Sequence, residues 1–353
     1  MNHPDLNDRI LGALCLAGIG DALGAPTEQW TIDEIRACHG GLVTRFVAPT
    51  EDTFAGALGG RRGEVTDDTS QLVWLARALV AGGGRLAADG WLRCLLDWAE
   101  HSPKATFMGP STALFVAALR EGRDLARVGT IGRSLRKLTT TGITNGAAMR
   151  VAPCGWVHPG DIGAACEQAF ITCLPSHETD VAISAACAIA AGAAQALVSD
   201  RLDAVIGACV EGAAIGERLG RERARAVAGP RLPARLDMAL RIAEEARDDL
   251  EFMRRTEAEV GNGVLACESV AAAIGLLAYA KGDPLRTVSI GASMGNDTDT
   301  IAAMAGALCG GLRGARALPA VLCDEFLAVN EAEYRLTELA AQLSVLADRA
   351  NAS

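Results

Sequence analysis

Aromatic residues are scarce: Phe, Trp and Tyr make up 4% of a chain of 353 residues that is 50% hydrophobic. The apolar mass is therefore Ala, Leu, Val and Ile, interspersed with 39 Gly. Small side chains let helices approach closely, and Ala and Leu are the strongest helix formers, so composition favours an all-helical protein. Lysine is nearly missing as well. Only Lys104, Lys137 and Lys281 occur, and acidic residues outnumber basic ones by 43 to 33. A net charge of −10 offers no phosphate-neutralising face, which excludes nucleic acid as an expected partner.

None of the 11 cysteines stands in C-x-x-C spacing, so neither a zinc ribbon nor a disulfide framework is expected. Cys15, Cys187, Cys209 and Cys309 lie in apolar stretches and read as small core hydrophobes. The apolar segment 10–20 is too short for an export signal, follows acidic residues and is ended by Asp21. The longest uncharged run, 181–199, has the length of a membrane span but is mostly Ala with Gln195, Ser and Gly. A buried core helix is the expectation there. No membrane partner is expected, and the cytoplasm is the expected compartment.

Helical periodicity runs almost from end to end. It predicts helices over 6–23, 67–81, 87–100, 110–121, 124–137, 160–173, 179–198, 201–215, 232–257, 263–280, 283–293, 298–312 and 324–349. Thr31 and Glu34 form a capping box that starts one more short helix. Only 42–47 resembles a strand, and it sits in a long irregular loop, 40–63. The Arg- and Gly-rich stretch 216–233 is the one candidate hinge. With no repeat and no linker, one all-α domain over 1–353, a compact orthogonal helix bundle, is expected.

Two places break the apolar monotony in the same way. Thr66-Asp-Asp-Thr69 precedes the run from Leu72, and Asp297-Thr-Asp-Thr300 precedes the run from Ile301. Either cluster alone is an ordinary helix start, where Thr and Asp cap and carboxylates favour the dipole. A cap needs one oxygen, however, and four carboxylates are present. Brought together they would repel one another unless a cation lay between them. Oxygen ligands of this kind suit Mg²⁺, Mn²⁺ or Ca²⁺ rather than zinc.

These motifs have company. Gly18-Ile-Gly-Asp-Ala-Leu-Gly24 with Glu28, then Thr66–Thr69, Asn145-Gly-Ala-Ala-Met-Arg150 and Asn296–Thr300, stand in the order seen in ADP-ribosylglycohydrolases. From about Asp8 to about Leu312 the chain resembles that family, whose members include dinitrogenase reductase-activating glycohydrolase and ADP-ribosyl-acceptor hydrolases. The resemblance implies an all-α bundle with a binuclear metal cleft holding two Mg²⁺ or Mn²⁺ ions. It assigns Thr66, Asp67 and Asp68 to one ligand group and Asp297, Asp299 and Thr300 to the other, with Asp299 bridging. Glu28 matches a glutamate beside the metals. Catalytic roles fall on Glu28, Asp67 and Asp299.

The same resemblance gives the loop Thr141, Gly142, Ile143, Thr144, Asn145 and Gly146 to the substrate diphosphate, through backbone N–H groups that can form an anion nest. It places His177 and Asp21 at the same cleft. Arg150 reads as a structural salt-bridge partner. The sequence departs from the family at two places. Asn296 stands where many members have Gly, adding bulk near the ions, and Phe107 falls where some protein-acting members carry Asp.

The expected activity is hydrolysis of the glycosidic bond between ADP-ribose and a protein side chain or a small ADP-ribosyl ester, through an oxocarbenium-like transition state. A ribosyl-metabolite or nucleoside hydrolase on the same scaffold is the alternative, which Phe107 favours. A non-catalytic ADP-ribose-binding relative should have lost ligand positions, and all six are present. A terpene cyclase would need a third acid after Asp67-Asp68, and an HD-type phosphohydrolase a His-Asp dipeptide; both are missing.

Overall fold

A computed structural model describes residues 5–351, with helices and no strands among them. In chain order they are α1 (Leu6–Gly24), α2 (Ile32–His39), α3 (Phe54–Ala57), α4 (Asp67–Ala81), α5 (Ala88–His101) and α6 (Pro110–Arg120). Then come α7 (Ala152–Trp156), α8 (Ile162–Cys173), α9 (Asp180–Ala196), α10 (Leu202–Arg223), α11 (Leu232–Glu245) and α12 (Asp249–Arg255). The last are α13 (Ala266–Tyr279), α14 (Pro284–Gly291), α15 (Thr298–Arg313), α16 (Ala320–Tyr334) and α17 (Leu336–Asn351).

Small residues decide how the centre packs. α1 lies against α15 so closely that a Cβ on Gly20 would stand 2.4 Å from the Ala302 carbonyl, and one on Gly24 2.4 Å from the Asp299 amide. Gly20 and Gly24 of the first motif thus serve backbone contact, which sets the depth of α15's first turn, whereas Gly18 makes room for the Phe326 ring. α1 continues into Thr27 as a stretch long and apolar enough to cross a membrane, of which 94% is buried in the fold. α9, the uncharged Ala-rich run, is buried along nearly its whole length. All 11 cysteines are free, and seven of the eight buried ones are fully enclosed.

Several expectations from the sequence need correction. Residues 42–47 form no strand, and 124–137 hold one 3₁₀ turn, Leu125–Arg127, in place of a helix. Gly129 and Gly132 adopt left-handed backbone angles there (φ 73° and 56°), which a right-handed helix cannot absorb. The predicted 232–257 helix breaks before Asp248, which caps α12. The predicted 324–349 helix breaks at Arg335, whose φ is 47°. Within 216–233, α10 continues to Arg223, and the turn after it is tied down by buried Asp180. That carboxylate accepts from the Val227 amide at 3.0 Å and from Arg231. The segment is anchored, not hinged. The capping box at Thr31 and Glu34 forms as expected.

Candidate metal centre

The two acidic helix starts meet. Thr66 caps α4, its Oγ1 accepting from the Asp68 amide at 3.3 Å and donating to Asp68 Oδ2 at 3.2 Å. Across the cleft, Thr300 at the start of α15 donates its Oγ1 to the same Asp68 oxygen at 3.4 Å. Asp68 and Thr300, 232 positions apart in the chain, are therefore joined directly. Glu28, Asp297 and Asp299 each offer an oxygen within 4.8 Å of the others. All of these carboxylates except half-buried Glu28 are buried, and all line one cavity of about 170 Å³.

Each start is braced from below. Asp21, fully buried on α1, accepts from the Thr66 amide at 3.0 and 3.1 Å and from the Thr69 amide at 3.1 Å. Asp67 accepts from Gln71 Nε2 at 2.9 Å, and Gln71 in turn accepts from Arg150 at 2.9 Å. Asp297 accepts from Asn145 Nδ2, which also donates to Ser269 at 3.0 Å. The turn before α15 runs through Gly295 and Asn296 in left-handed conformations, φ 77° and 57°, tolerable for Gly and Asn. It is stitched to the Glu28 turn by Asn296 N to Trp30 O, 2.9 Å, and Gln29 N to Asn296 O, 2.6 Å. The Asn296 side chain is exposed and does not line the cavity, so the expected bulk near the ions is not there.

The electrostatics point to a missing positive charge. Burial, followed by the charge of Asp297, pushes Glu28 up to about 8. Burial pushes Asp297 up to about 6, against the Asn145 hydrogen bond. Burial and then neighbouring carboxylates hold Asp67, Asp68 and Asp299 well above the usual carboxylate range. Among the described residues that line the cavity there is no lysine or arginine. Asp68 Oδ1 is buried without a hydrogen-bond partner. Such an oxygen carries a desolvation cost of about 1–3 kcal/mol or more, which a coordinated cation would remove. Hard oxygen donors, one of them unpartnered, fit a divalent cation of the Mg²⁺ or Mn²⁺ kind.

The remaining expected site residues divide into two groups. Thr144, Asn145 and Gly146 line the cavity, whereas Thr141, Gly142 and Ile143 do not. The Thr141 carbonyl accepts from Arg225 and the Gly142 carbonyl from Thr179 at 2.7 Å. His177 is fully buried behind Thr144, with Nε2 3.0 Å from Thr144 Oγ1 and Nδ1 2.8 Å from Ser176 Oγ. Burial, then the nearby Arg150, lowers His177 far below its ordinary value, so it is neutral. Among the described residues Arg150 forms no salt bridge. Its guanidinium is fully buried over Trp91 and donates to Gln71, the Gly146 carbonyl and Ser176.

Sequence reasoning missed Gln71 and the apolar rim of Phe54, Met149 and Val264, which join Phe107 and Met108 at the cavity. Gln71 was findable: it stands one helical turn after Asp67, on the same face.

The model of the ADP-ribosylglycohydrolase family matches residues 2–352. "Uncharacterized protein YegU" of Escherichia coli K12 is 34% identical over 330 residues, 93% of this chain and 94% of that one. The ADP-ribosyl-[dinitrogen reductase] glycohydrolase of Rhodospirillum rubrum is 38% identical over a shorter span, 25% of this chain and 28% of its own length. Among solved structures, an "ADP-ribosylglycohydrolase-related protein complex" superposes with a TM-score of 0.65 at 21% identity, covering 97% of this chain and 99% of that one, a likeness of fold. With its helical fold and its converging acidic helix starts, the chain belongs to the ADP-ribosylglycohydrolase family.

Proposed function

We propose that the chain, acting as one unit over 1–353, is a metal-dependent hydrolase of a ribosyl glycosidic bond, with ADP-ribosyl compounds as the class its family implies. The observation that carries this reading is the convergence of Asp67 and Asp68 with Asp297 and Asp299, without a cationic side chain among the described residues that line the cavity. Thr66, Asp67 and Asp68 would hold one Mg²⁺ or Mn²⁺, and Asp297 and Thr300 the other, with Asp299 between them. Bound there, the cations supply positive charge that anchors ribose hydroxyls and acidifies a water.

The chain's own groups do the rest. Glu28 stands beside Asp297 and Asp299 at the cavity and takes the proton of the attacking water or gives one to the leaving group. Thr144, Asn145 and Gly146 position the sugar and the group it carries, and Asn145 also holds Asp297. His177 acts through Thr144, and Asp21 through the first turn of α4; both are positioning residues.

The test is incubation of the purified protein with Mg²⁺ or Mn²⁺ against ADP-ribosyl-arginine, ADP-ribosyl-serine, O-acetyl-ADP-ribose and simple nucleosides. Turnover that EDTA abolishes and Mn²⁺ restores is expected. Full turnover by demonstrably metal-free protein contradicts the reading. One observation favours a nucleoside hydrolase over an ADP-ribosyl hydrolase: the apolar rim around Phe107.

A further inference from the structure

Above the acid floor, the cavity wall changes character. Phe54 meets Phe107 edge to face, with ring centroids 6.0 Å apart and planes at 88°. Met108, Met149 and Val264 continue this wall. Phe54 is 38% exposed, an apolar ring left open at the mouth of a polar cavity. In a chain that is only 4% aromatic, two phenylalanines and two thioethers gathered at one cavity make a local concentration of stacking surface.

Charge is distributed just as unevenly. Of the carboxylates lining the cavity, the four aspartates are assigned to metal and Glu28 to proton transfer beside them, so none is left over at the rim to pair with a guanidinium. Among the described residues, no cationic side chain lines the cavity to meet a diphosphate either. The Lys104 ammonium lies 5.7 Å from the Phe107 ring centroid, lining a neighbouring pocket that Phe107 divides from the cavity, and it is paired with Glu64 at 3.2 Å. Arg150 is spent beneath the floor. Neutral hydrogen-bonding groups remain: exposed Gln29, which offers both donor and acceptor, and Thr112. The cavity, about 170 Å³, is also smaller than the ~300–1,000 Å³ that enclose drug-sized ligands.

We infer that the leaving-group side of this cavity takes a neutral, planar heteroaromatic ring, so that the substrate class is a purine or pyrimidine ribonucleoside and not an ADP-ribosylated arginine. The inference rests on the metal-dependent glycosidase reading above. Its reaction is balanced by water alone. The C1′–N bond breaks with its electron pair going to the base nitrogen, the water oxygen bonds to C1′, and the water's proton ends on the base. Ribose and free base are the products. Phe54 and Phe107 hold the ring through stacking, a contact that tolerates different bases because each presents a π-face. Gln29 reads the base edge.

The experiment uses the full chain with Mn²⁺, comparing inosine, uridine, ADP-ribosyl-arginine and ADP-ribosyl-serine, in wild type and Phe54→Ala. Phe54 is 38% exposed on the short helix α3, so its truncation is expected to leave the fold intact, which circular dichroism checks. The inference expects kcat/KM at least tenfold higher for inosine or uridine than for either ADP-ribosyl compound. It expects Phe54→Ala to raise KM for the nucleoside about tenfold, the scale of one base–aromatic contact, with kcat little changed. Preference for an ADP-ribosyl compound, with no effect of Phe54→Ala, overturns the substrate class and leaves the metal-dependent hydrolase standing. No metal-dependent turnover of any compound overturns the glycosidase reading itself. Calorimetric binding of hypoxanthine to metal-free protein then decides separately on the wall. Binding weakened about tenfold by Phe54→Ala supports it, and no binding in either protein overturns it.

Discussion

The two acidic helix starts carry the same kinds of residue, a pair of carboxylates flanked by threonine, but different forces hold them. The α4 start is a conventional cap: Thr66 accepts from its own helix, and a second carboxylate, Asp21, accepts two more amides from below. The α15 start has no side-chain cap at all. Its geometry comes from the left-handed Gly295-Asn296 turn, the stitch to Gln29 and Trp30, and the backbone of α1 pressing on it at Gly24. In the first, side chains position the site. In the second the backbone of neighbouring elements sets the turn, while Asn145 holds Asp297 and the Thr300 amide donates to Asp299 Oδ1 at 2.9 Å, both carboxylates still lining the cavity.

That difference ranks the outcomes of mutation. The largest loss is expected at Asp299, assigned between the two cations. Asp299→Asn keeps the shape but removes the negative charge separating two dications in a partly desolvated cleft, where repulsion is several times stronger than in water. Turnover should fall by about a hundred- to a thousandfold, the scale of removing one preorganised electrostatic group, with folding retained in circular dichroism.

Next comes Asp21→Ala, which breaks the side-chain-built start without touching the backbone-built one. It leaves the Thr66 and Thr69 amides without their acceptor, at about 1–3 kcal/mol each if they stay buried. Denaturant unfolding should show that loss, and metal affinity should drop with it. Unchanged stability would mean that α4 does not depend on its brace.

The metal-free protein should be sensitive to pH. The folded state holds Glu28 up to about 8 and Asp297 up to about 6, against ~4 in the unfolded chain. It therefore binds protons that the unfolded chain releases, and this stabilisation is fully present below pH ~4. It is lost as pH rises through 6 and then 8. The melting temperature of chelated protein should fall by several degrees between pH 5 and pH 8.5. Mn²⁺ should restore most at the alkaline end.

The smallest effect is expected at Thr66. Thr66→Ala removes one neutral oxygen that a water can replace, and an N-cap of about 1 kcal/mol. Less than tenfold in turnover should be lost. A loss matching that of Asp299→Asn would erase the ranking between the two starts.

The same contrast governs how much of the molecule could be read in its sequence. The contiguous motifs were legible because cap chemistry is local: Thr66, Asp67 and Asp68 announce a helix start, as do Asp297, Asp299 and Thr300. The glycines of Gly18–Gly24 were legible as a motif, but their purpose, backbone contact with α15 at Gly20 and Gly24 and room for the Phe326 ring at Gly18, exists only in the packed molecule. Phe54, Met149 and Val264 come from three distant segments and carry no common pattern, so only the fold gathers them. Residues 124–137 misled because apolar spacing outweighed Gly129 and Gly132, whose left-handed angles decide the matter. The burial of Arg150 was hidden for the same reason as the rim: its partners Gln71, Gly146 and Ser176 lie on separate elements.

The central claim is that two separately built helix starts form one site for two cations. Mn²⁺ titration by calorimetry, on wild type and Asp299→Asn after chelation, tests it most directly. The account predicts two Mn²⁺ per chain in the wild type and loss of both in the variant, because Asp299 serves each. Fewer than two ions in the wild type, or a variant that keeps two at undiminished affinity, would contradict it.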